Sequence, residues 1–554
     1  MRSALIVLCA CTALSSVALA AAPAETAYRN GRIYTVESGQ AWAEAVAISG
    51  GRFVYVGNEQ GLHDHVGAGT KVVDLQGRMV MPGIHDAHQH LLVTGMRSNF
   101  DCAIPDNSDV TAIIAALRKC AAGKPKGEWI IANVYRPDLF PGGKAHRRYL
   151  DEAFPDTPIY IREWSWHHAL ANSRALQIAG VTRSTPDPQG GRVLRDERGE
   201  PRGELLEKAT WLVQKALPAP SAETVRTALK WSAQMCSQVG ITSAQEASAT
   251  RELLEGVKAL DERGEWPLEL ASHIVWDNPE FGNASAADLD RLIDNRARYA
   301  SAHQKTDFVK IIIDGSPLQP HTTDVSLDSS GHVPVGKLLE EPQKLNAALI
   351  RFDRLGIKAK MHVTGTGAAR VALDAIEAAR KANPNSRVRQ EVAHSVRFDP
   401  VDLPRVAKLG AVAELSPAIW QIKGELTENL VGAFPFKSLQ ASGALITAGT
   451  DWVILPTPNL FPALGGMVDH GSESIDLRSA IEAITLNGAR SVGWEERSGS
   501  IKVGKLANMI VLDRNLFDIP TAQIADTRVL QTVFEGKVVY DAAGNKAAAS
   551  SRSH

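Results

Sequence analysis

Hydrophobic positions along this chain change period twice. From 26 to 80, short runs alternate apolar and polar residues and are cut by glycine turns: Gly31-Arg32-Ile33-Tyr34-Thr35-Val36, then Ala45-Val46-Ala47-Ile48, then Arg52-Phe53-Val54-Tyr55-Val56. Period two predicts strands, and Ser49-Gly50-Gly51 is a hairpin signal between the second and third. The same style returns at 506–512 and 532–540. Two β-rich ends predict one small sandwich made from 21–80 and 501–546; two separate β units are the alternative. Between them, strand-like runs (308–313, 358–363, 443–449) alternate with helical patterns (368–382, 402–409, 477–486). That alternation predicts a parallel α/β domain over 81–500, whose chemistry would sit at the C-terminal ends of its strands. Residues from about 97 to 220, rich in Trp and Pro, form a long insertion able to roof such a site.

The chain ends carry a different signal. Met1-Arg2-Ser3 is a basic start, an apolar stretch follows to about Ala20, and Ala18-Leu19-Ala20 offers a cleavage site. Residues 1–20 therefore predict a signal peptide and a periplasmic or secreted protein, with no membrane attachment after cleavage. The polar tail 547–554 is expected to be disordered.

Composition narrows the class. The 554 residues are 44% hydrophobic, with 60 Lys+Arg against 62 Asp+Glu. A large core is affordable, and no net field recruits nucleic acid or an anionic membrane. A small-molecule partner is expected, and a homo-oligomer is left open. Of five cysteines, Cys9 and Cys11 would leave with the signal. Cys102 and Cys120 either pair, which is worth roughly 3 kcal/mol on the chain-entropy argument, or stay as buried thiols. Cys236 lies in a helical pattern and is expected in the core.

Six scattered residues bear on chemistry: His88, His90, Lys310, His362, His394 and Asp451. His88 and His90 follow an apolar run, and alternate residues of a strand share a face, so both can grip one ion. Lys310 interrupts an aliphatic strand. Burial there lowers the pKa of an ammonium, and the neutral amine can take up carbon dioxide to give an anionic carbamate able to bridge two cations. His362, His394 and Asp451 each fall at the end of a predicted strand.

These residues sit in motifs that resemble the amidohydrolase superfamily (amidohydrolase family 3), in the branch of N-substituted formamide deformylases and YtcJ-like exported hydrolases. The carriers are PGIHDAHQH (82–90), NSRALQIAG (172–180), FVKIIIDGS (308–316), the His362 strand, Glu391-Val392-Ala393-His394, ITAGTD (446–451) and GSIKVGKLANMIVLD (499–513). The resemblance implies a (β/α)8 TIM-type barrel with a composite β-sandwich. It also implies two divalent ions, zinc by default, held by His88, His90, His362, His394, Asp451 and N6-carboxylysine at Lys310. A metal-activated hydroxide with Asp451 as proton shuttle would cleave the C–N bond of an amide, N-formyl or cyclic amide. Hydrolysis of a lactone, ester or phosphotriester, a single-ion site, and a non-catalytic metal-holding protein are the alternatives.

The sequence departs from the family pattern near the substrate. Ser165-Trp166-His167 stands for Asp-Gly-His, Gly365-Thr366 for Gly-Asp, Ala393-His394 for Glu-His, and Thr450-Asp451-Trp452-Val453 for Ser-Asp-x-Pro. The departures leave every expected ligand in place and predict an altered pocket. Trp164, Trp166, Trp420 and Trp452 are candidates for an aromatic lining, and His167 and His321 for substrate contacts.

Overall fold

The computed structural model describes residues 22–277, 284–416, 427, 430 and 432–544. The signal segment 1–20, the tail 547–554 and Trp420 lie outside the described residues.

Eight parallel strands form the central sheet: β1 (Ile84–Gln89), β2 (Ile241–Ala249), β3 (Glu269–Val275), β4 (Gln304–Ile312), β5 (Lys358–His362), β6 (Glu391–Ala393), β7 (Val412–Leu415) and β8 (Leu445–Ala448). Neighbours in space are neighbours in this order, and β1, paired with β2 on one side, meets the exit of β8 on the other. There Thr450 N donates to Asp86 Oδ1 at 2.9 Å and Asp451 N to the His88 carbonyl at 2.8 Å. The approach needs Gly449, because a Cβ at that position would lie 2.4 Å from His88 N. The result is a TIM-type barrel closed at its C-terminal mouth. Its strands are almost wholly buried, as expected when helices such as Thr366–Ala382 and Pro342–Arg354 cover the outside.

The β-rich ends pair directly. Met79–Pro82 runs parallel to Arg32–Tyr34 on one side and antiparallel to Met509–Leu512 on the other. A second sheet of Arg52–Gly57, Ala45–Ser49, Thr26–Arg29 and Lys71–Asp74 packs against this one. One core therefore holds Ile33, Val46, Phe53 and Val80 from the first end with Met509, Val511 and Val533 from the second. Gly50 and Gly51, at φ 55° and 73°, make the hairpin between Ala45–Ser49 and Arg52–Gly57. The expected run at 532–540 is instead two strands, Val529–Phe534 and Lys537–Asp541, because Glu535 and Gly536 both take positive φ and turn the chain.

The insertion builds a six-stranded mixed sheet between β1 and the helix Ala222–Gln238. Cys102, at the start of this sheet, is bonded to Cys120 in the helix Val110–Ala121. Cys236 is buried in Ala222–Gln238.

The insertion is also sewn to the loop that leaves β4. Trp164 Nε1 donates to the Gln319 carbonyl (3.0 Å), His168 Nε2 to the His321 carbonyl (3.1 Å), and Lys208 Nζ to the Leu339 carbonyl and to Glu340 (both 2.7 Å).

Candidate metal centre

The C-terminal ends of the strands bring six side chains to one place. His88 and His90 come from the end of β1, Lys310 from inside β4, His362 from the last residue of β5, His394 from just after β6 and Asp451 from just after β8. None is more than 8% exposed. His90 Nε2 lies 3.1 Å from Asp451 Oδ1, His88 Nε2 3.8 Å from the same oxygen, and His394 Nδ1 3.8 Å from Oδ2. Lys310 Nζ is 3.2 Å from His88 Nε2. The His394 ring lies 4.4 Å from that of His88 and 4.3 Å from that of His362, centre to centre.

Partners beneath the centre orient these rings. His88 Nδ1 sits 2.7 Å from Glu414 Oε2, which also accepts from His394 N at 3.1 Å, while Glu414 Oε1 accepts from Ser416 Oγ at 3.1 Å. His90 Nδ1 pairs with Ser248 Oγ (2.9 Å) and His394 Nδ1 with Ser416 Oγ (3.0 Å). His362 Nε2 meets the Gly315 carbonyl at 3.4 Å, which leaves Nδ1 as the ring atom that could hold an ion. Asp86 accepts from Thr450 N, Thr450 Oγ1, His88 N and Gln89 Nε2, tying β1 to the turn that carries Asp451. Deeper still, Glu391 is paired with both Lys358 and Lys360, and Lys360 also donates to the Ala87 carbonyl at 2.7 Å. Sequence reading assigned no role to Glu414, Ser248, Ser416, Asp86 or Glu391. The detectable signal was strand alternation: Glu414 and Ser416 stand two apart, as do Lys358, Lys360 and His362.

Electrostatics suit a divalent cation. Burial, and then the charge of Lys310, holds His88 well below the usual imidazole range. Burial does the same to His362, helped by His167, and to His394, helped by His362. These rings are neutral and able to donate lone pairs. Burial pushes the Asp451 carboxyl up, but the hydrogen bond and charge of His90 and the charge of Lys310 outweigh it, so the group stays ionised. Burial, then the charge of Lys360, pulls the Lys310 ammonium down to about 7. The ligand atoms of His88, His90 and Asp451 all lie within 4.8 Å of one another. Lone pairs facing each other at such distances require a proton or a cation between them, and three imidazole or carboxylate donors at that spacing match a transition-metal site. A second cluster of His88, His394 and Glu414 is equally compact. Its 2.7 Å contact already commits Glu414 to His88 Nδ1, so we assign that glutamate to orienting the ring.

The backbone is strained where the site is built. Trp166, Glu207, His394 and Asp451 all adopt left-handed φ, between 49° and 70°. Such conformations disfavour side chains with a Cβ and persist only where surrounding contacts impose them.

A cavity of about 510 Å³ opens onto His90, Lys310, His362, His394 and Asp451 and runs under the insertion. Of the residues expected to contact substrate, Trp166 and His167 line it. His167 Nδ1 is 2.9 Å from Glu207 Oε2, and its ring stands 5.1 Å from that of His362. Glu207 in turn accepts from Thr323 Oγ1 and from Ser316 N.

The other expected contacts fall elsewhere. Trp452 is fully buried and stacks on Trp231 at 5.7 Å, because left-handed Asp451 turns the next residue into the core. Trp164 is packed into the wall. His321 points to Glu204 at 3.4 Å and is outside the cavity lining.

Comparison with known proteins agrees with this architecture. The profile of the amidohydrolase family matches residues 71–540. N-substituted formamide deformylase of Arthrobacter pascens is 28% identical over 93% of this chain and 98% of its own. The Bacillus subtilis protein YtcJ is 26% identical over 93% and 99%. An uncharacterized metal-dependent hydrolase from Pyrococcus horikoshii, 21% identical, superposes with a TM-score of 0.68 over 90% of this chain and 99% of its own. The chain belongs to the amidohydrolase family, as its motifs had implied. It is a hydrolase acting on carbon–nitrogen bonds other than peptide bonds, with candidate metal-binding groups at the barrel mouth.

Proposed function

We propose that this protein is an exported, metal-dependent amidohydrolase that cleaves the C–N bond of a small amide, N-formyl compound or cyclic amide. The observation that carries the reading is the convergence of four buried histidines, Lys310 and Asp451 at the barrel mouth. His88, His90, His362, His394, Asp451 and a carboxylated Lys310 would hold two divalent ions, zinc being the default for a histidine-rich set. Ions bound there would polarise the substrate carbonyl and acidify a water.

The remaining steps belong to the chain. The Lys310 amine, partly neutral near pH 7, combines with carbon dioxide and loses one proton, becoming a two-oxygen anion. Asp451 accepts the proton of the attacking water and delivers it to the leaving nitrogen, as the new C–O bond forms and the C–N bond breaks. His167, held at Nδ1 by Glu207, faces the cavity as a substrate contact. Residues of the insertion, among them Tyr160 and Trp166, line the cavity from above.

Export is supported by the 1–20 segment and by the Cys102–Cys120 disulfide, since such bonds persist in oxidising compartments. The relative in Arthrobacter makes formamides the first substrates to try.

Matched amide and ester pairs test the reaction. Amide turnover that depends on added metal supports the reading, and ester hydrolysis with no amide turnover overturns it. Asp451→Asn should cut kcat by at least about 100-fold, in line with typical losses of a positioned acid–base group, and should retain most of the metal. A fully active variant refutes the shuttle.

A further inference from the structure

The roof of the cavity carries features that hydrolysis itself does not use. Trp166 stands beside His167 at the edge of the metal centre, its ring flanked by the guanidinium groups of Arg162 (5.3 Å) and Arg97 (5.7 Å). With φ at 70°, its backbone aims the indole into the cavity at the cost of strain. Its Nε1 is buried and has no hydrogen-bond partner among the described residues, and the same holds for Oε1 of Gln214, which lines the same cavity. Buried polar atoms are nearly always paired, so each such atom in a ligand cavity marks a place for a ligand group. An indole N–H can only donate and an amide oxygen can only accept.

Charge around the roof restricts what can enter. Arg162 is committed to Asp101 at 2.9 Å and to Asn133 at 3.2 Å, and Lys124 to Glu128 at 2.7 Å. Glu252 adds a further carboxylate to the lining. Among the described lining residues of the roof, every cation already has an anion beside it. The wall is thus close to charge-balanced, and Trp166, Tyr160 and Leu217 offer apolar surface.

We propose that this roof is a specificity subsite for an uncharged aromatic or alkyl substituent that ends in a hydroxyl, with Trp166 and Gln214 as the residues that recognise it. A hydroxyl accepts from the indole and donates to the amide oxygen, whereas a carboxylate only accepts. The proposal rests on the amide-hydrolase reading for its kinetic test, so a binding test accompanies it.

The kinetic probes are N-formyltyramine, N-formylphenethylamine and 4-(2-formamidoethyl)benzoate, given to the zinc-loaded enzyme. The expected order puts the tyramine compound at least about tenfold above the phenethylamine compound in kcat/KM, the range expected when a buried polar group loses its partner. The benzoate compound should fall at least about 100-fold below it, because its carboxylate meets the Gln214 oxygen and cannot donate to it. In Trp166→Phe and Gln214→Leu the hydroxyl advantage should shrink to under about threefold, with the change in KM. A wild type indifferent to the hydroxyl, or an advantage that survives both substitutions, overturns the proposal. Calorimetric binding of 4-methylphenol against toluene gives the independent arm. A preference of about tenfold for the phenol supports the subsite even if no formamide is hydrolysed, and equal affinities overturn it.

Discussion

Glu414 is the residue whose replacement tests the metal centre most directly. Its carboxylate takes three donors, His88 Nδ1 (2.7 Å), His394 N (3.1 Å) and Ser416 Oγ (3.1 Å), two of them from residues of the proposed ligand set. Burial pushes its carboxyl up to about 7, and the charge of Lys360 pulls the other way. Glu414→Gln keeps the shape and removes the charge. The amide oxygen still accepts from His88 and His394, and Ser416 Oγ rotates to accept from the new NH2. What is lost is charge assistance, about 1 kcal/mol for each of two bonds, or about 2 kcal/mol of folding stability. The larger effect should fall on the ion. A carboxylate partner fixes the tautomer of His88 and raises its basicity, and losing such a partner typically costs about 10–100-fold in metal affinity. Glu414→Ala is harsher, since three buried groups lose their partner at about 1–3 kcal/mol each. Competition of the purified variants with a chromophoric zinc chelator, alongside thermal melts, measures both terms. A folded Glu414→Gln enzyme that binds zinc within about twofold of wild type would refute the reasoning from His88.

Other consequences can be measured separately. Glu391→Gln strands Lys358 and Lys360 in the barrel interior and should cost about 3–5 kcal/mol in urea unfolding, the usual penalty for breaking a buried ion pair; a loss below about 1 kcal/mol would mean the lysines are solvated. Cys102→Ser with Cys120→Ser should cost about 3 kcal/mol, from an 18-residue separation that closes a modest loop, read as a lower unfolding midpoint with a steeper denaturant slope, because the unfolded chain without the crosslink exposes more surface. His303 lies between Asp261 (2.5 Å) and Glu535 (3.3 Å), against the ring of Phe534 and with Ser301 sharing Asp261. Chiefly through the hydrogen bond to Glu535, its pKa rises from 6.5 to about 9. This joint between barrel and sandwich should stabilise fully below pH 6.5 and lose that contribution as pH climbs through 9. The melting difference between wild type and His303→Gln should close over that window, and a difference constant from pH 6 to 9.5 would contradict the assignment.

The strand ends were legible because apolar runs stop where polar ligands begin. Val309-Lys310-Ile311 betrays a lysine that has no reason to be apolar-flanked unless it is used, and the family motifs supplied the roles. The barrel was visible for the same reason, through alternating strands and helices. Trp452 was misplaced because sequence carries no sign of the left-handed turn at Asp451, which reverses the direction of the next side chain. Glu414 and Asp86 escaped notice because a lone acid in a short strand is common. Its meaning comes only from the imidazole or backbone amide that the fold sets against it. Gln214, far from any motif, became visible only through the cavity it lines.

The seam between insertion and barrel bears on how such enzymes diversify. Trp164, His168, Glu207 and Lys208 reach across to Gln319, His321, Thr323 and Glu340, on the segment that follows the strand of Lys310. A chimera that borrows only 102–217 from a relative would break every one of those stitches. The transplantable cassette is the canopy together with residues 316–341, which leaves Asp314 and Gly315, the residues that hold His362 and the turn after it, in the recipient barrel.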